Sequence, residues 1–359
     1  MQITVNTTPF AADVCAATDR RAQKHCVVVV KATFDVDESG LCRISDEQEP
    51  LVYADVHHGD PATSSIKHEN DFAPVKPRAD VLVEGMAVAP AGRAVTRIDV
   101  ALVGPGLDKR AIVTGDRRWV RSAGGVVASA PEPFVAMPLV WDRAFGGSDL
   151  SHASPMKHGT ELRNLAGVGF HRNGNRDTVV GKALPNVERP DSAMREWSDK
   201  PEPIGFGPVG RSWQPRIGFA GTYDQRWMDE KLPFLPDDFD DRYFQSAPPD
   251  QQLEGLSPGG TFGCLHMNAR GRFTVALPEL RVPVRFTVGD RVEARTLSAD
   301  TLIMAPARER IVLVGRASVP LPRKMVALRE VQIGPRKPPA GRPRFARLGE
   351  AVAALRRRS

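Results

Sequence analysis

The sequence predicts a mainly β protein, with antiparallel sheets arranged as a sandwich or barrel, a long loop-rich central region and a few short helices. Three observations carry that expectation. The 31 glycines and 31 prolines make up about one residue in six of the 359, against roughly one in eight in average usage, and long helices are poorly served by that. Apolar and polar residues alternate at period two in several segments. No helical pattern of comparable length alternates with them, which argues against a parallel sheet wound by crossover helices. With 41% hydrophobic and 26% charged residues, the chain falls near globular averages and outside the disordered corner. At this length one large domain or two closely packed ones are expected, and two cores are favoured.

The clearest strand is 281–288, where Val282, Val284, Phe286 and Val288 fall on one face and Arg281, Pro283, Arg285 and Thr287 on the other. Pro283 cannot donate to a ladder, so this strand is at an edge or has that N–H side free. Gly289-Asp290 follows, and Val292, Ala294 and Thr296 alternate with Arg291, Glu293 and Arg295, as a two-residue hairpin with glycine first requires. The same reasoning marks 26–36, 81–88, 96–103, 272–277 and 311–315 as strands. They form an N-terminal β region over 1–130 and a C-terminal β region over 263–334 packed with it.

Residues 131–262 are crowded with Pro, Gly, Asp and aromatics, with short helix candidates only at 223–231 and 237–245. A segment this long without regular elements is often functional when it is ordered. Trp141, Trp197, Trp213 and Trp227 all lie in it; Trp119 alone lies outside. Such aromatics either pin loops to the core or form a recognition surface.

The formal net charge of +6 invites a nucleic-acid or anionic-membrane reading. Its distribution weakens that. Residues 335–359 hold eight basic residues and one acid, Glu350, so they carry +7 and the rest of the chain −1. Four prolines extend the first part of this tail, and Phe345, Leu348, Val352 and Leu355 recur at spacings of three, four and three, the pattern of a short amphipathic helix, with a disordered solvated tail as the equal alternative. Nucleic-acid binding through this tail is the weaker reading.

The chain begins without a basic segment followed by an apolar one, and no window approaches 18 uninterrupted apolar residues; neither a cleaved signal nor a membrane span is expected. Cys15, Cys26, Cys42 and Cys264 form no C-x-x-C pair, which fits reduced thiols in the cytoplasm.

Catalytic motifs fail on inspection. Gly205-Phe206-Gly207-Pro208-Val209-Gly210 matches G-x-G-x-x-G, but Pro201 and Pro203 precede it and Pro215 follows, where a dinucleotide site needs a strand and a helix N-terminus. His57-His58-Gly59-Asp60, with His68-Glu69, is the best apparent metal cluster, yet adjacent histidines on a strand point to opposite faces. Asp237-Asp238-Phe239-Asp240-Asp241 lacks the central Gly and closing Glu of a calcium loop and reads as a helix-capping acidic turn. Gly146-Gly147-Ser148-Asp149 is no nucleophile elbow. No catalytic residue, metal or cofactor is expected.

A series of distinctive phrases runs through the central region: Pro138-Leu139-Val140-Trp141-Asp142-Arg143-Ala144-Phe145-Gly146-Gly147, Leu184-Pro185-Asn186-Val187-Glu188, Pro203-Ile204-Gly205-Phe206-Gly207-Pro208, Ala220-Gly221-Thr222-Tyr223-Asp224 before Trp227, Leu235-Pro236-Asp237-Asp238-Phe239-Asp240, and Ala247-Pro248-Pro249-Asp250-Gln251. Asp71-Phe72-Ala73-Pro74-Val75-Lys76-Pro77 and Gly115-Asp116-Arg117-Arg118-Trp119 precede them. In this order they resemble the bacterial family catalogued as domain of unknown function twenty-one-sixty-nine, over about residues 1–330. The resemblance implies a type VI secretion adaptor or chaperone, which holds a toxic effector, often through its PAAR region, and helps load it onto the VgrG spike. It brings no catalytic residues. Leu165 and Val168 depart from the family, whose members tend to show Pro and Arg there.

Trp, Tyr and Arg are the residue types that anchor interfaces, so Trp141, Arg143, Phe145, Trp213, Arg216, Tyr223 and Trp227 are the candidate partner-binding residues. The structural alternative is that Trp141 and Phe145 fill the core while Arg143 pairs with Asp142 or Asp149. The alternative function is a hydrolase acting on a glycan in the central cleft, which requires a carboxyl pair roughly 5–9.5 Å apart.

Overall fold

Strands do dominate: the computed structural model, which describes residues 3–322 and 328–335, has 41% of its residues in strands and 9% in helices. The predicted basic tail lies outside the described residues except for Pro335.

The larger sheet has ten strands. Its main path runs Ile3–Asn6, Leu328–Ile333, Arg281–Val288, Arg291–Ala305, Arg310–Pro320, Lys24–Val36, Ala11–Thr18. The first and last of these are neighbours in the chain, so the sheet curls into a nearly closed barrel. Closure suits so many strands because it removes exposed edges. A five-stranded sheet, Val187–Glu188, Leu107–Thr114, Arg97–Gly104, Thr261–Leu265, Arg272–Ala276, packs against it. One large cluster of buried side chains is shared by both, with Val28, Val30, Phe286 and Leu302 from the first sheet meeting Leu102, Val113, Phe262 and Phe273 from the second. In place of two comparable cores there is one, with small satellites.

The run Val27-Val28-Val29-Val30 now has a reason. Val28 and Val30 face the main core, while Val27 and Val29 pack outward with Leu51, Val312 and Val314. A strand covered on both faces needs no alternation.

The predicted hairpin forms, with Val288 opposite Arg291 and Gly289 at φ +59°. The left-handed position falls on the glycine, as the glycine-first primed turn demands. Beyond the turn the expected buried face fails: Val292 is 53% exposed, because the hairpin tip projects past the core. The Pro283 strand is interior, paired on both sides. Gly334 donates its N–H to the Pro283 carbonyl at 2.8 Å, and the reciprocal bond that proline cannot make falls where the Leu328–Ile333 strand has ended.

Two pairings in the large sheet are parallel, Ile3–Asn6 with Leu328–Ile333 and Ala79–Val83 with Arg291–Ala305. The predicted strand 81–88 breaks at Glu84-Gly85, where the Glu84 N–H turns to the Met304 carbonyl and Met86–Val88 goes on to pair with Ala136–Pro138. No helix among the described residues is long and apolar enough to cross a membrane.

Candidate interaction surface

The central region lacks long ladders, so its backbone is held by corners, buried polar side chains and aromatic seats. At the first corner, Phe145–Gly146 lies parallel to Val168–Gly169. Gly146 (φ +154°) and Gly147 (φ +86°) pass so close to the Asn164 and Gly167 carbonyls that a Cβ on either would overlap them. Asn164, fully buried, donates Nδ2 to the Trp141 and Phe145 carbonyls at 2.8 and 3.0 Å. Glycine is required here for a backbone crossing.

The G-x-G-x-x-G letters have a similar explanation. A Cβ on Gly205 would overlap the Trp141 ring, and one on Gly210 would lie 2.7 Å from Trp213 Nε1. Trp141 Nε1 donates to the Gly207 carbonyl at 3.1 Å. The two indoles meet edge to face, 5.8 Å apart at 89°. These glycines seat tryptophans. Leu165, one of the family departures, packs against the same pair.

Three buried ionic groups tie these loops to the sheets. Lys109, on a strand of the smaller sheet, sends Nζ to the Gly205 carbonyl (2.7 Å), Gln251 Oε1 (2.7 Å) and Asp250 Oδ1 (2.8 Å). Burial pushes its ammonium down to about 8 against the opposing pull of Asp250. Asp80 accepts from Lys76, Gln245 and Ser246; burial would raise its carboxyl, but the Lys76 charge and these bonds hold it below the ordinary value. Arg216 binds the Tyr243 and Val209 carbonyls, both at 2.8 Å, and pairs with Glu69.

The seven candidate residues therefore separate. Trp141, Phe145, Trp213 and Arg216 are buried, and their side chains are committed to the interior. Arg143 is half-buried; it pairs with neither Asp142 nor Asp149 but with Asp116 at 3.0 Å, and also reaches Asn186. Asp142 instead accepts from Ser65, and Asp149 from Ser151 and Asn173. Tyr223 and Trp227 alone come together at the surface, with ring centroids 4.7 Å apart.

They belong to an apolar patch. Asp224 caps the short helix Gln225–Glu230 by accepting from the Trp227 N–H at 2.8 Å, as predicted for 223–231. The patch consists of Tyr223 (51% exposed), Trp227, Met228 (52%), Leu232 (60%) and Phe234 (38%). Trp227 Nε1 fixes the following turn by donating to the Phe234 carbonyl at 2.8 Å. Within 223–242, seven acids face three basic residues, a net −4. Thr222 bonds to Asp238, and Arg242 to Asp240, holding both carboxyls below their ordinary values and so ionised at neutral pH. The second predicted helix, 237–245, shrinks to a single turn, Asp241–Phe244, capped by Asp240. Sequence reasoning missed Met228, Leu232 and Phe234. The available signal was the pair of apolar residues four apart, Tyr223 with Trp227 and Met228 with Leu232, among acids.

Two other clefts are lined by paired charges. One of about 290 Å³ contains Glu84, bound by Lys67 and Arg308; another of about 390 Å³ has Asp250 on Lys109 and Glu202 near Arg189. His57 pairs across a two-strand turn with Ile66, and among the described residues no group of three His, Cys, Asp or Glu side chains is arranged to hold a metal ion.

Residues 21–316 match the model of a family described as an uncharacterized protein conserved in bacteria (DUF2169). The chain belongs to this family. The match covers all the central phrases, including both tryptophan seats and the Tyr223–Phe234 patch. No curated protein and no solved structure is matched.

Proposed function

We propose that this DUF2169 protein is a type VI secretion accessory factor, an adaptor or chaperone acting in the cytoplasm. It binds a toxic effector, through its PAAR or N-terminal region, and assists loading onto the VgrG spike. The observation that carries this reading is the Tyr223–Phe234 patch. Four exposed large apolar side chains and the half-buried Trp227 within twelve residues are more than a scatter of single surface hydrophobics, and such patches mark interaction sites. Their acidic rim would favour an effector segment that is apolar and basic. The Asp224 cap, the Trp227–Phe234 bond and the Thr222–Asp238 bonds hold the patch in place, which lowers the ordering cost of binding. Glu84 and Asp250, the carboxylates of the two clefts described above, are already paired with internal cations and give the hydrolase reading no comparable support.

Co-expression with the effector encoded alongside tests the proposal. A stable complex is expected, and Met228→Asp with Leu232→Asp should weaken it by about tenfold or more, as truncating central apolar anchors does. Failure of the wild-type chain to form a complex or to alter effector solubility would sink it.

A further inference from the structure

An acidic-rimmed apolar patch calls for a basic, apolar occupant, and this chain carries one. Residues 336–359 hold eight basic residues and one acid, with Phe345, Leu348, Val352 and Leu355 at helical spacing. We infer that this C-terminal segment folds back onto the Tyr223, Trp227, Met228, Leu232 and Phe234 patch of its own chain. It covers the patch until a partner displaces it; only the partner's identity rests on the function proposed above.

Charge supports the pairing: +7 on the segment meets −4 on residues 223–242, while the remaining residues together carry +3. Reach supports it too. The Pro335 carbonyl accepts from Thr7 Oγ1 at 2.9 Å, placing the start of the segment beside the beginning of the Ala11–Thr18 strand. At the far end of that strand is Arg20, whose charge acts on Asp240 in the acidic rim. The eight residues of the strand span about 25 Å at ~3.3 Å each. Residues 336–344, with three prolines among nine, span about 28 Å at ~3.1 Å per residue if extended. A spacer of that length is enough to reach the acidic end of the molecule. Tethering at an effective concentration of about 1 mM makes even a weak contact, Kd about 0.1 mM, roughly tenfold occupied over free.

Hydrogen exchange of the full chain at residues 223–234 tests this. Exchange should be about tenfold slower in the wild type than in the Leu348→Asp/Leu355→Asp double variant or in a chain ending at Pro335, and the difference should shrink in high salt. Equal rates in all three chains would overturn the inference. So would protection that disappears on dilution, which would assign the patch to a neighbouring copy. Adding the effector separates the two proposals. If the segment protects the patch but the effector binds without altering exchange there, the segment's docking stands and the patch as effector site falls.

Discussion

Replacing Lys109 by methionine gives the sharpest test of how the central loops are held. The ammonium is fully buried, with an affinity for protons lowered from the ordinary 10.5 to about 8. The unfolded chain therefore binds the proton more tightly, and stability attributable to Lys109 rises with pH through the window from about 8 to 10.5. Linkage with these two values gives about 1.3 kcal/mol of gain between pH 7 and 9 and about 3.4 kcal/mol in all. Methionine keeps the stem but leaves the Gly205 carbonyl and Gln251 Oε1 without their donor, at a cost of about 3–5 kcal/mol. Urea denaturation of both proteins at pH 7, 8 and 9 isolates the lysine, because the other titrating groups are common to both. Buried Cys26 and half-buried Cys42, whose thiols burial pushes up to about 11, act in the opposite direction as pH rises through 9, but equally in both proteins. The gap between wild type and variant should widen by about 1.3 kcal/mol from pH 7 to 9. A constant or narrowing gap would refute the account of Lys109 as a buried, protonated tie.

Gly205→Ala should destabilise the protein by about 1–3 kcal/mol, seen in thermal unfolding, because the new methyl overlaps the Trp141 ring; a neutral result would mean the indole is not seated there. Asp80→Asn should cost most stability at neutral pH and progressively less below the ordinary carboxyl value of 3.8. Its lowered carboxyl contributes stability present above that value and lost as pH falls through the folded one, so acid titration of the wild-type-to-variant gap checks it. Met228→Asp and Leu232→Asp, being exposed, should each change stability by no more than about 0.5 kcal/mol, so that loss of partner binding in their combination cannot be ascribed to unfolding.

The strands were legible wherever one face is buried and the other wet, as in 281–288, because period two is then written into the residue types. It failed at Val292, where the same alternation continues past the end of the core and buries nothing. Around the candidate site, the tryptophans and glycines were visible as residue types but their pairing was not. Gly205 serves Trp141 across 64 positions, and Lys109 meets Gln251 across 142. Such contacts depend on how loops return to the sheets, and local periodicity says nothing of that. Burial of Arg216 was hidden for the same reason, since an arginine reads as surface until its acceptors, here two loop carbonyls, are known.

Those carbonyls explain why so many polar side chains are buried in this region. A chain without long helices or ladders leaves backbone groups to be satisfied some other way when it is packed against a core. Here long side chains supply the donors. Arg216 serves Tyr243 and Val209, Asn164 serves Trp141 and Phe145, Gln251 serves Val81 and Phe206, and Lys109 serves Gly205. Every acceptor except Val81 belongs to the central region, so one donor often fixes two separate loops at once. The ties end where the exposed apolar side chains begin: Tyr223 and Trp227 rest on each other, and Met228 and Leu232 project from the helix and the turn after it. A well-tied base carrying an apolar patch is what a surface needs in order to gain from binding more than it loses in ordering.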